Sequence, residues 1–399
     1  MPTTSAIRAI VSLLIAVLFM VTANGLLNTV VPVRARLEGM SAAEIGLMSS
    51  FYFVGMLAGA MGSPWLVRRS GHVLAFSVSV ALCAVAALAM ASILTPLAWI
   101  GARGVMGFSF AVLYSTVESW LQGKAEDSVR GRVLAIYSVI QYGGMATGNA
   151  LFGFSEPTSF KVFSLAAAIL CLAILPLALS TQAPPSGPNS HSLRLAWFFK
   201  LSPVGFVASI FIGMANGPHW SLSPIFASDV GLTQVEVGTF MTAMTVGAAV
   251  GQIPIGRLSD YLDRRLVLIL ICGVAAVIEV AMWLAGARVP HYALFAAFFL
   301  LGGFLATQYY VVAAHANDRI GAEHAVTVAS ALLFLYCLGA IVGPLTATAL
   351  IGVLGPGGLF AHNAIVHTAM IGFVVWRMRV KARPLPVEVH DEMPRKPMA

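Results

Sequence analysis

Charge is what this sequence has least of. Only 10% of its 399 residues are Asp, Glu, Lys or Arg, and acidic residues number just 16, whereas about a quarter of a soluble domain is charged. A water-soluble chain of this length would still need a polar shell over its core, and these residues cannot build one. Cysteine is scarce as well. Cys83, Cys171, Cys272 and Cys337 stand far apart at no metal-ligand spacing, which excludes a disulfide framework or zinc site and leaves them as packing residues. The sequence also lacks a nucleophile elbow, a phosphate loop, an HExxH motif and clustered metal ligands, and its Ser, His and Asp residues lie at scattered depths. No enzymatic activity and no cofactor are therefore expected.

What is present is apolar: 59% of the chain is hydrophobic. The apolar runs are long enough for the roughly 20 residues that cross about 30 Å of hydrocarbon as a helix. Backbone polar groups in a bilayer need internal partners, so only helices or a closed barrel fit. Barrel strands would alternate apolar and polar residues, and these Leu/Ala/Val-rich runs do not. Twelve spans are predicted, over 8–33, 44–66, 73–95, 98–122, 131–153, 160–180, 201–226, 236–258, 265–286, 291–315, 325–352 and 357–377. The expected class is an all-α integral membrane protein.

The basic residues orient these spans. With both termini cytoplasmic, 18 of the 23 lysines and arginines fall in cytoplasmic segments, only Arg34, Arg36, Lys161 and Arg288 lie outside, and Arg103 is left within a span. The positive-inside rule favours this arrangement and places the chain in a bacterial inner membrane. The net charge of +7 is then explained by loops beside anionic lipid, so no nucleic-acid partner is expected.

The chain repeats itself at half its length. ANGLLNTVVP from Ala23 matches ANGPHWSLSP from Ala215, an offset of 192 that also pairs Ser41 with Thr233, Glu44 with Glu236, Gly46 with Gly238, Gly55 with Gly247 and Gly59 with Gly251. At nearby offsets Gly107 aligns with Gly303, Tyr114 with Tyr310, and Gly144 and Gly148 with Gly339 and Gly343. Matched Gly, Asn, Pro and Glu are not what two unrelated apolar helices share. The reading is therefore a six-helix half over 1–180, a Pro/Ser-rich cytoplasmic linker over 181–200 whose end approaches the interface, a second half over 201–380, and a polar cytoplasmic tail over 381–399. Even span numbers give the halves one orientation, the parallel type of repeat in which solute sites lie between the halves near mid-membrane.

GRLSDYLDRR, from Gly256 to Arg265, resembles the loop signature of the major facilitator superfamily, and ARGVMGFSFA around Arg103 resembles that family's arginine-bearing fourth helix. With the duplicated plan, the resemblance covers essentially the whole chain. It implies the twelve-helix family fold and secondary active transport of a small organic solute by alternating access, coupled to protons, in a monomer. An uncoupled facilitator is the alternative of the same class. A non-transporting sensor or assembly factor would need a soluble output module, and the largest extramembrane pieces are the linker and the tail. Two departures stand out. In SPWLVRRSGH the position matching Asp260 is Arg68, and GMATGN and GAIVGP only partly resemble the glycine-proline signature of drug/proton antiporters.

A charge at the bilayer centre costs about 2.5 to 3.5 kcal/mol on insertion scales, so ionisable residues there face a partner or a cavity. Arg103 reads as an anion-binding or proton-coupling residue, or as an arginine that snorkels or ties helices together. Glu118, fifteen residues along the same span, with Tyr114 one turn before it, is the leading proton carrier, against an ion-pair role at the cytoplasmic mouth. Glu279 lies deeper, on a helix that the resemblance makes peripheral, and is read as a structural hydrogen bond before a coupling group. Asn24 and Asn216 occupy repeat-equivalent places and either line the cavity or glue helices. Asn28 belongs to the same cavity set. His219 and Trp220 break the repeat in a central helix, which suits solute contact or an internal hydrogen bond. Gln141, Tyr142, Gln308, Tyr309 and Tyr310 form polar-aromatic patches suited to a partly apolar ligand or to interfacial anchoring. Gly256, Asp260, Arg264 and Arg265 are read as the gating loop.

Overall fold

The computed structural model describes residues 4–124, 127–178 and 194–380; most of the linker and the tail after residue 380 lie outside the described residues. The first half comprises α1 (Thr4–Leu37), α2 (Ala42–Ser70), α3 (His72–Ser92), α4 (Pro96–Lys124), α5 (Asp127–Phe152) and the pair α6 (Phe160–Leu172) and α7 (Ile174–Ala178). A short α8 (Leu195–Leu201) leads into the second half: α9 (Pro203–Asp229), α10 (Gln234–Tyr261), α11 (Arg264–Ala285), α12 (His291–Ile320), α13 (Ala325–Leu354) and α14 (Gly358–Arg379). Counting α6 and α7 as one span gives twelve crossings.

Two details differ from the sequence reading. The sixth span breaks at Ala173, and the chain bends by 113° between α8 and α9. Helix α8 thus leaves the axis of α9 and lies against the end of the second half, with Phe198 buried in its core, Trp197 against His324 and Phe199 exposed beside Lys200, the composition of an interfacial segment. Among the described residues nine helices are long and apolar enough to cross a membrane by themselves, or ten with the bent pair. Helices α5 and α10 fall short because they are more polar. They pack against each other across the two halves, where each shields the other from lipid.

The repeat visible in the sequence is built from two devices. Ser41 and Thr233 each cap a helix whose third residue is Glu44 or Glu236, and each carboxylate returns to the cap backbone N–H at 2.7 and 2.8 Å. Such reciprocal caps satisfy end amides that lipid cannot. The second device is close helix crossing at glycine. A Cβ on Gly55 would lie 1.9 Å from the Gly104 carbonyl oxygen, and one on its repeat mate Gly247 would lie 1.8 Å from that of Phe299. Gly148 on Thr22 in α1, and Gly343 on Met214 in α9, repeat the pattern at 2.1 and 2.3 Å. The crossings α2 with α4, α10 with α12, α1 with α5 and α9 with α13 therefore form equivalent pairs in the two halves.

Candidate functional site

The halves meet at one end and part at the other. At the end bearing Leu37 and Asp229, Arg36 pairs with Asp229 at 3.4 Å, Gln234 donates to the Phe152 carbonyl at 2.8 Å, and the Ser50 hydroxyl donates to the Ile341 carbonyl at 2.7 Å. Asn149 is the centre of this seal. Its amide nitrogen reaches the Met241 carbonyl at 3.2 Å and the Thr245 hydroxyl at 2.9 Å in the other half, while its oxygen accepts from Thr29 at 3.0 Å. Repeat-equivalent glycines allow the contact: Gly46 lies under Thr348 and Pro344, and Gly238 under the Asn149 carbonyl, where an added Cβ would come within 2.6 and 2.8 Å. Gly238→Leu should hold this end apart. Alkylation of a Thr245→Cys reporter by a membrane-impermeant maleimide, in a Cys171→Ser background, is expected to rise over the same reporter with Gly238 intact.

The opposite end, which carries the arginine pairs of the loops, is open. Gly131, Arg132, Gly256 and Arg257 are exposed, and a groove of about 240 Å³ runs between α10 and α12 past Gln252, Ser259, Asp260 and Tyr310. Asp260, 72% exposed, has Arg264 at 3.7 Å; Arg264 also bonds Asp318 and the Ser259 hydroxyl. The Arg265 guanidinium pairs with Asp263 at 2.7 Å and holds that carboxyl below its ordinary range. Asp260, Arg264 and Arg265, read from the sequence as part of a gating loop, thus lie in ion pairs with one another or with Asp263 and Asp318. Gly256 has open space around it.

The first-half wall carries a directed polar chain. Arg103 donates to the Asn28 oxygen at 3.3 Å, Asn28 to the Asn24 oxygen at 3.1 Å, and Asn24 to the Tyr114 hydroxyl at 3.3 Å. The Arg103 guanidinium lies 4.3 Å from the centre of the Tyr52 ring. Farther towards the mouth Gln141 donates to the Tyr137 hydroxyl at 3.0 Å, and Tyr137 to Glu118 at 3.3 Å. Glu118 is exposed although Val117 and Thr116 beside it are buried, so its carboxylate looks into the crevice. Aromatic residues close the space between the halves: Phe53 meets Tyr336 edge-on at 6.5 Å, Tyr336 meets Tyr309 at 5.8 Å, and Tyr142 interacts with Tyr310 and Gln252.

The second-half residues divide differently. Asn216, buried, donates to the Leu305 carbonyl and interacts with Tyr336. His219 is fully buried against Phe298, ring centres 4.8 Å apart, and neither ring nitrogen has a hydrogen-bond partner among the described residues; Trp220 is half-buried against the core. Glu279 and Gln308 are sealed from the crevice. Glu279 meets His367 Nδ1 at 2.8 Å, and Gln308 meets His367 Nε2 at 3.0 Å, with all three side chains fully buried. The structure therefore joins Arg103, Asn28, Asn24 and Tyr114 in one network and places Glu118, Gln141, Tyr142 and Tyr310 at the crevice. Glu279, Gln308 and His219 lie within the second half.

Sequence reasoning missed His367, Asn149, Tyr52 and Tyr336. His367 left a signal, as an ionisable residue inside a predicted span, and Asn149 another, as the residue that breaks the glycine-proline pattern in GMATGN.

A sequence profile of the Major Facilitator Superfamily matches residues 13–204 and again 205–398. A protein of Escherichia fergusonii named "Uncharacterized MFS-type transporter YcaD" is 28% identical over 339 residues, covering 84% of this chain and 87% of the relative. The Shigella flexneri protein of the same name matches to the same extent. Among solved structures, a point variant of the nucleoside transporter NupG superposes with a TM-score of 0.81 at 12% identity, covering 92% of this chain and 99% of that one. A D-xylose-proton symporter gives 0.74 at 13% identity over 92% and 96%. At such identities these likenesses speak for the fold.

Proposed function

This chain belongs to the major facilitator superfamily of membrane transporters, and on that premise we propose that it is a secondary active transporter that moves a small organic solute by alternating access, coupled to protons. The observation that carries this reading is the difference between the two ends. Asn149 and its partners join the halves at one end, Arg132, Gly256 and Arg257 are exposed at the other, and α4 carries the buried Arg103 and the exposed Glu118. Parting the Asn149 seal while closing the α5 and α10 ends would present the same wall to the other side. Those contacts are polar and directional, so they can break and remake without exposing a hydrophobic interface. In this reading the arginine-rich open end is cytoplasmic, the membrane is the bacterial inner membrane, and the protein works as a monomer.

Glu118 is the proposed proton carrier. Its carboxylate hangs from a wall of Tyr137, Tyr114 and Gln141 with no basic side chain bonded to it among the described residues, so proton uptake leaves no cation stranded. The reading is supported by a structural neighbour described as a D-xylose-proton symporter, which shares the fold. A thermal-shift screen supplies the solute, since a ligand of the folded state raises its apparent stability. Proteoliposome flux of that solute then tests the coupling. The wild type should accumulate it down an imposed pH gradient; Glu118→Gln should lose the accumulation and keep exchange at equal concentrations. Full gradient-driven flux in Glu118→Gln would remove Glu118 from the mechanism.

A further inference from the structure

We infer that the solute carries an anionic group, a carboxylate in the first instance, and that Arg103 binds it. The inference rests on the transport reading above and narrows it to a substrate class. Arg103 is 5% exposed, so it does not snorkel to a headgroup region. Among the described residues no carboxylate bonds it. By contrast Arg34, Arg36, Arg264 and Arg265 each bond an acidic side chain. What Arg103 has instead is one hydrogen bond to a neutral amide and the face of Tyr52. A cation over an aromatic ring and a single hydrogen bond to a neutral amide each stabilise the charge only in part. Withdrawing the ion from water costs more than the two together return. A resting state that carries this deficit implies that something else meets the charge in the working cycle.

The geometry says where that partner sits. Stacking on Tyr52 fixes the guanidinium plane and leaves its edge, where the N–H groups point, for a planar two-oxygen acceptor. Asn28 occupies one N–H, and none of the Arg103 nitrogens is among the sealed, unpartnered atoms of the interior, so the remaining donors border open space. Each amide of the chain below is committed: the Asn28 oxygen faces Arg103 and its nitrogen faces Asn24, whose own nitrogen faces Tyr114. Neither asparagine turns to neutralise the arginine further. Glu118 stands fifteen residues nearer the mouth, about 22 Å along the helix at 1.5 Å per residue. It is too distant to quench Arg103, yet it lies on the approach an anion would take. Protonating it removes the repulsion an entering carboxylate would meet, which gives the two sites a reason to share one helix.

The test uses the purified full-length protein and four variants. Thermal-shift probes are short straight-chain carboxylates and benzoate, set against the matching primary amides and amines, within a wider library of neutral and cationic metabolites. Carboxylates should stabilise the wild type and the matching amides should not. Arg103→Gln should abolish the stabilisation, and Arg103→Lys, which keeps the charge but loses the planar fork, should weaken apparent affinity about tenfold. Arg103→Gln and Arg103→Met should also unfold at a higher temperature than the wild type without ligand, because they remove an uncompensated buried charge. A tie between helices would give the opposite sign. Ligands that are neutral or cationic, or carboxylate binding that survives Arg103→Gln, would overturn the anion assignment and leave the transporter reading standing. A Tyr52→Leu variant that binds carboxylates as the wild type does would overturn the stacked geometry. A library in which no compound of any charge stabilises the protein would count against both readings.

Discussion

Gly107→Val is expected to remove the protein from the membrane fraction. A Cβ at Gly107 would sit 1.8 Å from the carbonyl oxygen of Tyr52 and 3.0 Å from the amide nitrogen of Met56, while Gly55 on the facing helix presses equally closely on Gly104. The obstacle is backbone, so no rotamer change relieves it; α2 and α4 would have to separate by more than an ångström along their whole crossing. Overpacking that forces backbone shifts costs about 1 to 3 kcal/mol in forgiving cores. Here two helices are held by dispersion and close approach alone, lipid being as apolar as their side chains, so the loss should exceed about 4 kcal/mol, the range that marks a severe defect. The measurement is abundance in washed membranes, followed by size exclusion of the extracted protein. Gly101→Val and Gly143→Val are the controls, since a Cβ at either meets nothing within 4 Å; both should be recovered near wild-type levels. A monodisperse, abundant Gly107→Val would mean that the crossing is looser than the structure has it. Gly302→Val, 2.0 Å from the Met244 carbonyl oxygen in the second half, should fail for the same reason.

The glycines were legible in the sequence because backbone approach admits one residue type, and duplication wrote that requirement twice. The caps Ser41 with Glu44 and Thr233 with Glu236 were legible for the same reason: their hydrogen bonds act over three residues, and both halves carry them. Pairings made across the bundle were not. Glu279 in VIEVAMW reads as a lone carboxyl, and its partner His367 lies 88 residues away on α14, where the sequence offers no hint that the two helices touch. Gln308 sits beside two tyrosines and so reads as part of a solute-facing patch, yet the helix turns it inward to His367 while Tyr310 one turn-fraction on is 53% exposed. Asn149 occupies the place of Pro344 in the repeat. Its departure from the glycine-proline pattern read as a weakened signature, and in the fold it is the side chain that reaches Thr245. Wherever the two halves face each other, the repeat gives one copy of the pattern and the contact needs both.

Removing one member of the Glu279 and His367 pair should be far more damaging than removing both. The pair is fully buried, and with Gln308 donating its amide hydrogen to Nε2, His367 carries its proton on Nδ1 and gives it to Glu279. The pair is then neutral overall only if the carboxyl also holds a proton, and Glu279 Oε1, which has no partner, is the oxygen left to carry it. Turning the Gln308 amide over offers its oxygen to Nε2 and makes the ion pair the equivalent neutral state. Both states hold the same two protons, one more than a neutral imidazole beside a bare carboxylate, and both need both groups. The His367→Leu variant takes away the partner and leaves a carboxyl sealed among Cys272, Gln308 and apolar helix surface, as does His367→Ala with a cavity added. Breaking a buried pair in this way costs about 3 to 5 kcal/mol, whereas replacing both members by apolar residues of similar volume is often neutral or stabilising. Glu279→Met with His367→Leu should therefore lose less stability than either single change, falling short of wild type by the buried Gln308 amide left without its partner, and a double-mutant cycle on thermal or denaturant unfolding should return a coupling energy of about 2 kcal/mol or more. Additive single effects would show that the contact holds nothing together. The stable double variant also separates packing from proton traffic: it folds without a titratable group at this place, so any fall in its pH-driven flux beyond the wild type's reports on the proton the pair carried, and unchanged flux leaves Glu118 as the coupling group by itself.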